Sequence, residues 1–460
     1  MIQLLQRNVR VCSGLSRREW LAVGGISALG LHWPDLLWAR EQPASGRRPR
    51  LFGRAKSCVV IFLFGGPGQQ DLWDLKPEAT AEVRGEFSPI ATNVPDIAIS
   101  DQLPSLSKQV EKFTIVRSVS HKDFEHGSAS YTALTGQPHP KPGTNTPASR
   151  DDFPTYSSVV SLLKPTAKPI PSAVVLGPVM HQGNRPPMAG QNAGFLGQAY
   201  DPFRIAEDPS LSDFRVSGLS LPPDISAVRV NGRRSLLQSL DEHWRRLDRS
   251  RVVEGVSQLR QRAFEMLASS QSRRAFDLSR ETRQARDRYG RHKFGQTMLL
   301  ARRLVEAEVP LITVNWSRQN ADQWDTHKNN YPKLRELLPP FDQGFAALLD
   351  DLEQRGLLDS TLVVCLGEFG RTPKINKDAG RDHWPDCYSV ILAGGGIRRG
   401  HVFGASDRLA AYPTTDAIAP WDLAATTYHL LGIDPHTHID DRLNRPFLLS
   451  QGRVVAGLLT

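Results

Sequence analysis

The stretch Thr361–Trp384, TLVVCLGEFGRTPKINKDAGRDHW, opens as an apolar strand, Leu362 to Leu366, and closes in Glu368, Arg371, Asp382 and His383. A second group, Trp324-Asp325-Thr326-His327, follows another apolar run, Leu311 to Asn315. Carboxylates and neutral imidazoles are donors for a divalent cation. The ground just past the carboxyl end of a buried strand is where α/β sheets hold their ligands. The candidate metal ligands are therefore Asp325, His327, Glu368 and His383. Arg371 could hold an anionic oxygen through paired N–H groups. A plainer reading remains open, in which Glu368 and Arg371 form an ion pair that orders the loop and Asp382 caps a turn.

Further candidates lie upstream. His121 and His126 follow a short strand pattern, Phe113 to Val116, in a polar stretch with Glu125 and Ser128. Isolated loop histidines are more often packing residues, but two beside an active-site edge are candidates for chemistry. Gly65-Gly66-Pro67-Gly68 ends the apolar run Ser57 to Phe64 and is followed by Asp71 and Asp74. The turn either only reverses the chain or brings Asp71 or Asp74 to the metal. It has neither the Walker lysine nor GxGxxG spacing, so nucleotide binding is not indicated. His429, inside the last helical pattern, reads as a packing residue.

The elements that must position these groups alternate. Ser57–Phe64 is apolar on both faces, as a central parallel strand is. Ser172–Leu176, Leu311–Asn315, Leu362–Leu366 and Tyr388–Leu392 are further strand patterns. Helices are expected at about Lys333–Arg355 and Trp421–Leu431. Residues from about 229 to 308 are rich in Arg, Leu, Gln, Ala and Glu, and read as a segment of two or more amphipathic helices. Gln137–Phe153 and the Gly-rich His181–Phe203 read as long loops, the second near the site. The pattern predicts an α/β fold with a mostly parallel central sheet and helices on both faces.

At 460 residues the chain can bury a large core. Its net charge of +9 is mostly a property of the first 56 residues, which hold ten of the 57 Lys and Arg but three of the 48 acids. The remainder is nearly neutral and gives no argument for a nucleic-acid partner. Ser16-Arg17-Arg18-Glu19-Trp20-Leu21 has the twin-arginine pattern, followed by a weakly apolar stretch, Leu21 to Leu31, too short to span a membrane. Residues 1–45 are thus expected to be a twin-arginine signal peptide and linker, and 46–460 the folded domain. No integral span is expected in the mature chain, and its location is expected to be periplasmic or secreted. The four cysteines have no CxxC spacing, and Cys58 and Cys365 sit inside strand patterns as buried thiols.

Two resemblances follow from the motifs. Gly356 to Gly370, with its helix, Thr361-Leu362-Val363-Val364 strand and acidic end, is similar to the C-terminal half of the alkaline phosphatase and sulfatase superfamily. Glu368 then stands at the position of a metal-binding Asp and Phe369 at that of a metal-binding His. Asp325 and His327 resemble the preceding Asp/His pair, and His383 the later single His. Ala133-Leu134-Thr135-Gly136 resembles the end of the nucleophile helix, which puts His126 where the nucleophile stands, with Ser128 nearby. More closely, SRREWL, FLFGGPGQQDLWDLKP, WDTH, GEFGRTP, GRDHW and LAGGGIRRG resemble the bacterial family called domain of unknown function 1501.

The resemblance implies an alkaline-phosphatase-like three-layer sandwich with a helical insertion, and a divalent metal: zinc, calcium, magnesium or manganese. It implies an exported hydrolase of phosphate or sulfate esters, with His126, Ser128 and Arg371 in catalytic roles and Asp71 added to the metal ligands. The partner would be an anionic ester, a sulfated or phosphorylated saccharide among the candidates. The missing Cys/Ser-x-Pro-x-Arg signature and Phe369 point to a one-metal or rearranged site. They also support an alternative, a non-catalytic exported protein that binds a polysaccharide or a partner protein on the same fold.

Overall fold

Eight strands form the central sheet: β1 (Ser57–Phe62), β2 (Phe113–Val119), β3 (Ala173–Leu176), β4 (Phe203–Ile205), β5 (Leu311–Asn315), β6 (Thr361–Leu366), β7 (Tyr388–Ala393) and β8 (His401–Phe403). Their spatial order is β8-β2-β7-β6-β1-β5-β3-β4. The computed structural model describes residues 51–219, 264–267, 269–316 and 323–460. Leu51–Thr460 form one unit. The expected signal peptide, and residues 229–263 of the expected helical segment, lie outside the described residues.

Every strand runs parallel to its neighbours except β7, which opposes both β2 and β6. The reason lies in the connection. A parallel return needs a crossover, usually helical. Residues 367–387 carry no helix and turn back over the end of the sheet where β6 finishes.

β1 alternates its side chains between the two faces, as strand geometry requires. Val59 and Ile61 pack with Leu299, Phe341 and Leu348 on one face. Cys58, Val60 and Phe62 pack with Tyr131, Val159 and Tyr428 on the other. The first face is covered by α3 (Lys293–Glu306) and α4 (Asn330–Gln354), and the second by α1 (His126–Thr135), α2 (Tyr156–Leu163) and α5 (Pro420–Leu431). This gives the three layers expected from the pattern. Two short helices, Ser270–Phe276 and Arg283–Tyr289, precede α3 in the region expected to be helical.

α1 was legible only through the family resemblance, for a physical reason. All ten of its residues are buried, so it has no polar face to impose a 3.6-residue period. It stops at Gly136, whose φ of 73° is open to glycine at low cost.

The register sets the site. Phe62 of β1 pairs with Asn315 of β5 and with Leu366 of β6. These three strands therefore end level. The segments that leave them, Gly65-Gly66, Trp324–His327 and Glu368–Arg371, emerge together at one edge. β2 ends there too, beside the start of β7 (Val119 pairs with Tyr388), and delivers His121 to His126.

Candidate metal centre

At this edge His126, Asp325, His327 and His383 each offer a donor atom, all within 4.8 Å of one another. His327 Nε2 lies 3.1 Å and His383 Nε2 3.3 Å from Asp325 Oδ1. His126 Nε2 lies 3.4 Å from Asp325 Oδ2. His327 Nε2 and His383 Nε2 are 3.0 Å apart. Four tetrahedral donors around one ion at ~2.0–2.1 Å would lie about 3.3 Å apart. The spacing fits one small divalent ion. His126 Nε2 is also buried without a hydrogen-bond partner, as an atom reserved for a cation would be.

The rings are held from behind. His126 Nδ1 is 2.6 Å from Glu368 Oε1, His327 Nδ1 2.7 Å from Asp382 Oδ1, and His383 Nδ1 2.6 Å from the main-chain carbonyl of Phe124. Phe369, itself buried, packs at a tilt against both His126 and His383, with ring centroids 5.0 and 4.4 Å away. It closes one side of the cluster. The other side is open: the His126 side chain is 1% exposed, but that of His327 is 39%.

Close backbone approaches make the cluster possible. A Cβ on Gly65 would lie 2.4 Å from the Asp325 nitrogen, and one on Gly380 would lie 1.9 Å from the His327 oxygen. Three main-chain hydrogen bonds, Arg381 N to Thr326 O, Asn329 N to Asp378 O and Asn330 N to Ala379 O, strap the His327 segment to the segment that carries Asp382 and His383. The short pairing of His383-Trp384 with Gly370-Arg371 sets His383 beside Arg371.

The charges are strongly coupled. Burial raises the Asp325 carboxyl, but the three imidazoles and Arg371 outweigh it and hold the group far below the usual carboxylate range. Burial lowers His126, but the flanking Asp325 and Glu368 carboxylates outweigh it and raise the imidazole to about 9. His327 is raised, first by its hydrogen bond to Asp325. His383 is lowered, first by burial.

The structure brings Asp325, His327 and His383 together as expected and adds His126, which occupies the first position of α1 as a donor atom of the cluster. Four other expectations change. Asp71 accepts two hydrogen bonds from Arg381, one from Asn330 Nδ2 and one from the Tyr331 hydroxyl, all at 3.0–3.1 Å. A carboxylate offers about four acceptor positions, so none is left for a metal. Glu368 lies behind His126 and is outside the cluster; its Oε1 also accepts from Gly65 N at 2.9 Å. Arg371 is fully buried. It spends its donors on the carbonyls of Gly65, Gly66 and Arg381 and on Asp325 Oδ1 at 2.7 Å, so it fixes a ligand and does not face a substrate. Ser128 Oγ is buried and accepts from Gly143 N and Thr144 N. It anchors the following loop and is not poised to attack.

The plainer Glu368–Arg371 pair is replaced by two other pairs, His126 with Glu368 and Arg371 with Asp325. The Gly65-Gly66 turn admits the Trp324-Asp325 backbone and not Asp71 or Asp74. His121 packs on Tyr388 and bonds the Glu368 carbonyl at 2.7 Å. His429 packs edge-on against Phe52. The 181–203 loop touches the site margin through Gln182, 3.5 Å from Glu125. Cys58, Cys365 and Cys387 are buried free thiols. The residues that sequence reasoning used least are Gly380 and Arg381; their signal was the GRDHW motif itself.

Fold and site together define an α/β protein with a candidate mononuclear metal centre at the carboxyl edge of its sheet. The chain belongs to the family described as protein of unknown function (DUF1501), which it matches over residues 55–459. No curated protein matches it. Solved structures similar to it include a protein of the alkaline phosphatase superfamily from Vibrio parahaemolyticus, at 11% identity and a TM-score of 0.37 over 87% of this chain and 74% of that one. The sulfatase PsFucS1 from Pseudoalteromonas sp. gives 13% and 0.38 over 91% and 72%. An alkaline phosphatase from the Antarctic bacterium TAB5 gives 9% and 0.35 over 76% and 95%. At such identities and scores these likenesses add nothing to what the chain's own sheet and site establish. Among the described residues, no helix is long and apolar enough to cross a membrane.

Proposed function

We propose that His126, Asp325, His327 and His383 hold one divalent transition-metal ion, and that the protein is an exported hydrolase of phosphate or sulfate esters. The observation that carries the metal reading is the 3.0 Å approach of two imidazole nitrogens, His327 Nε2 and His383 Nε2. Both rings donate from Nδ1 to an oxygen, so in the neutral rings the two Nε2 lone pairs face each other, an arrangement that a shared metal ion relieves, as a proton on one ring would. Three imidazoles and one carboxylate suit zinc, manganese, iron or cobalt, whereas calcium and magnesium prefer all-oxygen sites.

The hydrolytic reading rests on the open His327 side. A divalent ion there would polarise an ester oxygen and activate water. The chain's residues hold the ion's ligands in place, while Phe369 and Phe64, both against His126, keep solvent from the closed side. Among the described residues the donor cluster holds no cysteine, and Ser128 is tied to the Gly143 and Thr144 amides, so water is the attacking group in this reading. The choice of phosphate or sulfate esters comes from the family resemblance, as does a sulfated or phosphorylated saccharide substrate. The twin-arginine pattern supports export to the periplasm or beyond.

A second reading, metal binding without turnover, is favoured by the withdrawal of Arg371 from the open face. Metal analysis of purified protein, followed by aryl sulfates, phosphomonoesters and phosphodiesters with and without chelator, separates the two. Chelator-sensitive hydrolysis supports the first. Stoichiometric metal without turnover supports the second, and absence of bound metal removes both.

A further inference from the structure

We infer that Glu368 and Asp382 are positioning residues: each fixes the orientation and tautomer of one imidazole so that its Nε2 faces the shared metal position. This rests on the metal reading above and assigns roles to two groups outside the ligand set.

The argument starts from what each Nδ1 meets. Glu368 Oε1 stands 2.6 Å from His126 Nδ1, Asp382 Oδ1 2.7 Å from His327 Nδ1, and the Phe124 carbonyl 2.6 Å from His383 Nδ1. Ionised carboxylates and carbonyls only accept, so all three Nδ1 atoms carry the hydrogen. The three Nε2 atoms converge on Asp325. Three rings in one tautomer, each with its own oxygen behind it, form a preorganised donor set.

Both carboxylates are themselves held. Glu368 is fully buried and its Oε1 also accepts from Gly65 N. The Glu368 backbone is tied by His121 Nε2 at its carbonyl, 2.7 Å away. Asp382 Oδ1 also accepts from Asn376 Nδ2 at 3.2 Å, and Asn376 Nδ2 reaches the His327 carbonyl at 3.0 Å. Asn376 thus locks the His327 backbone and the carboxylate that orients its ring together. The two positions differ in one useful way. Glu368 is enclosed, whereas the Asp382 side chain is 53% exposed, so its substitution tests the idea with little risk to folding.

The experiment titrates metal-free protein with Zn²⁺ and Co²⁺ against a chromophoric competitor, for the parent and for Glu368→Gln, Glu368→Ala, Asp382→Asn and Asp382→Ala. The alanine variants are expected to lose affinity by roughly 10–100-fold. The amide variants, whose side-chain oxygen can still accept from Nδ1, are expected to recover part of it. Histidine-selective ¹⁵N spectra of the zinc-loaded protein give a readout that a merely structural role would not move. The site imidazoles should carry hydrogen on Nδ1, with the His126 signal perturbed only in the Glu368 variants and the His327 signal only in the Asp382 variants. If the Glu368 variants fail to fold, the Asp382 pair decides. Parent binding with all folded variants within about twofold, or spectra with metal on Nδ1, would overturn the inference alone. A parent that binds neither metal would overturn the metal reading as well.

Discussion

His126 Nδ1 lies 2.6 Å from Glu368 Oε1, although 242 positions separate the two residues in the chain. The contact spans the sheet edge from the end of β2 to the end of β6. It converts the acid that follows β6 from a metal ligand into the support of one.

Metal removal should lower stability, because a bound ion stabilises only the folded chain. With free metal at about 100 times its dissociation constant, the gain is about 2.7 kcal/mol. Thermal unfolding of the protein with one equivalent of zinc, then with chelator, measures it. His383→Ala should abolish the difference. An identical melting temperature in all three samples would remove the metal centre.

Metal binding should release a proton at neutral pH. In the metal-free protein the His126 imidazole is raised to about 9 by Asp325 and Glu368 against the opposing effect of burial, so it is charged at pH 7. A raised imidazole contributes stability that is fully present below its unfolded value of 6.5 and is lost as pH rises through about 9. Metal affinity should therefore climb with pH across this window, as the proton ceases to compete. Calorimetry in buffers of different ionisation enthalpy measures the release. An enthalpy independent of buffer would contradict it.

Asp71→Ala should unfold the protein more readily without changing metal content. The substitution leaves the buried Arg381 guanidinium without its paired carboxylate, a loss of roughly 3–5 kcal/mol for a broken buried pair. Denaturant midpoints and metal analysis on the same sample check both halves. Loss of metal with unchanged stability would return Asp71 to the ligand set.

Ser128→Ala should retain whatever hydrolysis the parent shows. The cost in stability should be modest, since Gly143 N keeps Asp123 Oδ1 as an acceptor at 3.0 Å and only the part-buried Thr144 amide loses its partner, at about 0.5–1.5 kcal/mol for one hydrogen bond. Steady-state rates beside unfolding curves separate the effects. Complete loss of turnover in a folded variant would make Ser128 the nucleophile.

Gly380→Ala should weaken metal binding more than a surface substitution can. Its Cβ would sit 1.9 Å from the His327 carbonyl and push apart the two segments that carry His327 and His383. Competitive zinc titration reads the effect, and parent-like affinity would mean that the strap tolerates separation.

Local pattern alone determined the strands Leu311–Asn315 and Leu362–Leu366, the helices around 333–355 and 421–431, and the residue types Asp325, His327 and His383 at the ends of those strands. The strands were legible because burial on both faces leaves continuous apolar runs, and the three donors because carboxylates and imidazoles stand out by type in the segments that follow those runs. The tertiary structure alone decided which polar groups meet. Asp71 and Glu368 were as plausible as ligands as Asp325 by type and position. Asp71 met Arg381, Asn330 and Tyr331, which fill its acceptor positions; Glu368 met the far nitrogen of His126, which places it behind a ligand and outside the donor cluster. Arg371 and Ser128 look reactive in a linear reading, yet both are enclosed, Arg371 spent on the Gly66 and Arg381 carbonyls and on Asp325, and Ser128 on the Gly143 amide. The physical reason is common to all four. A side chain's chemistry depends on its partners, and here the register of β1 against β5 and β6, with the return of β7, chooses those partners.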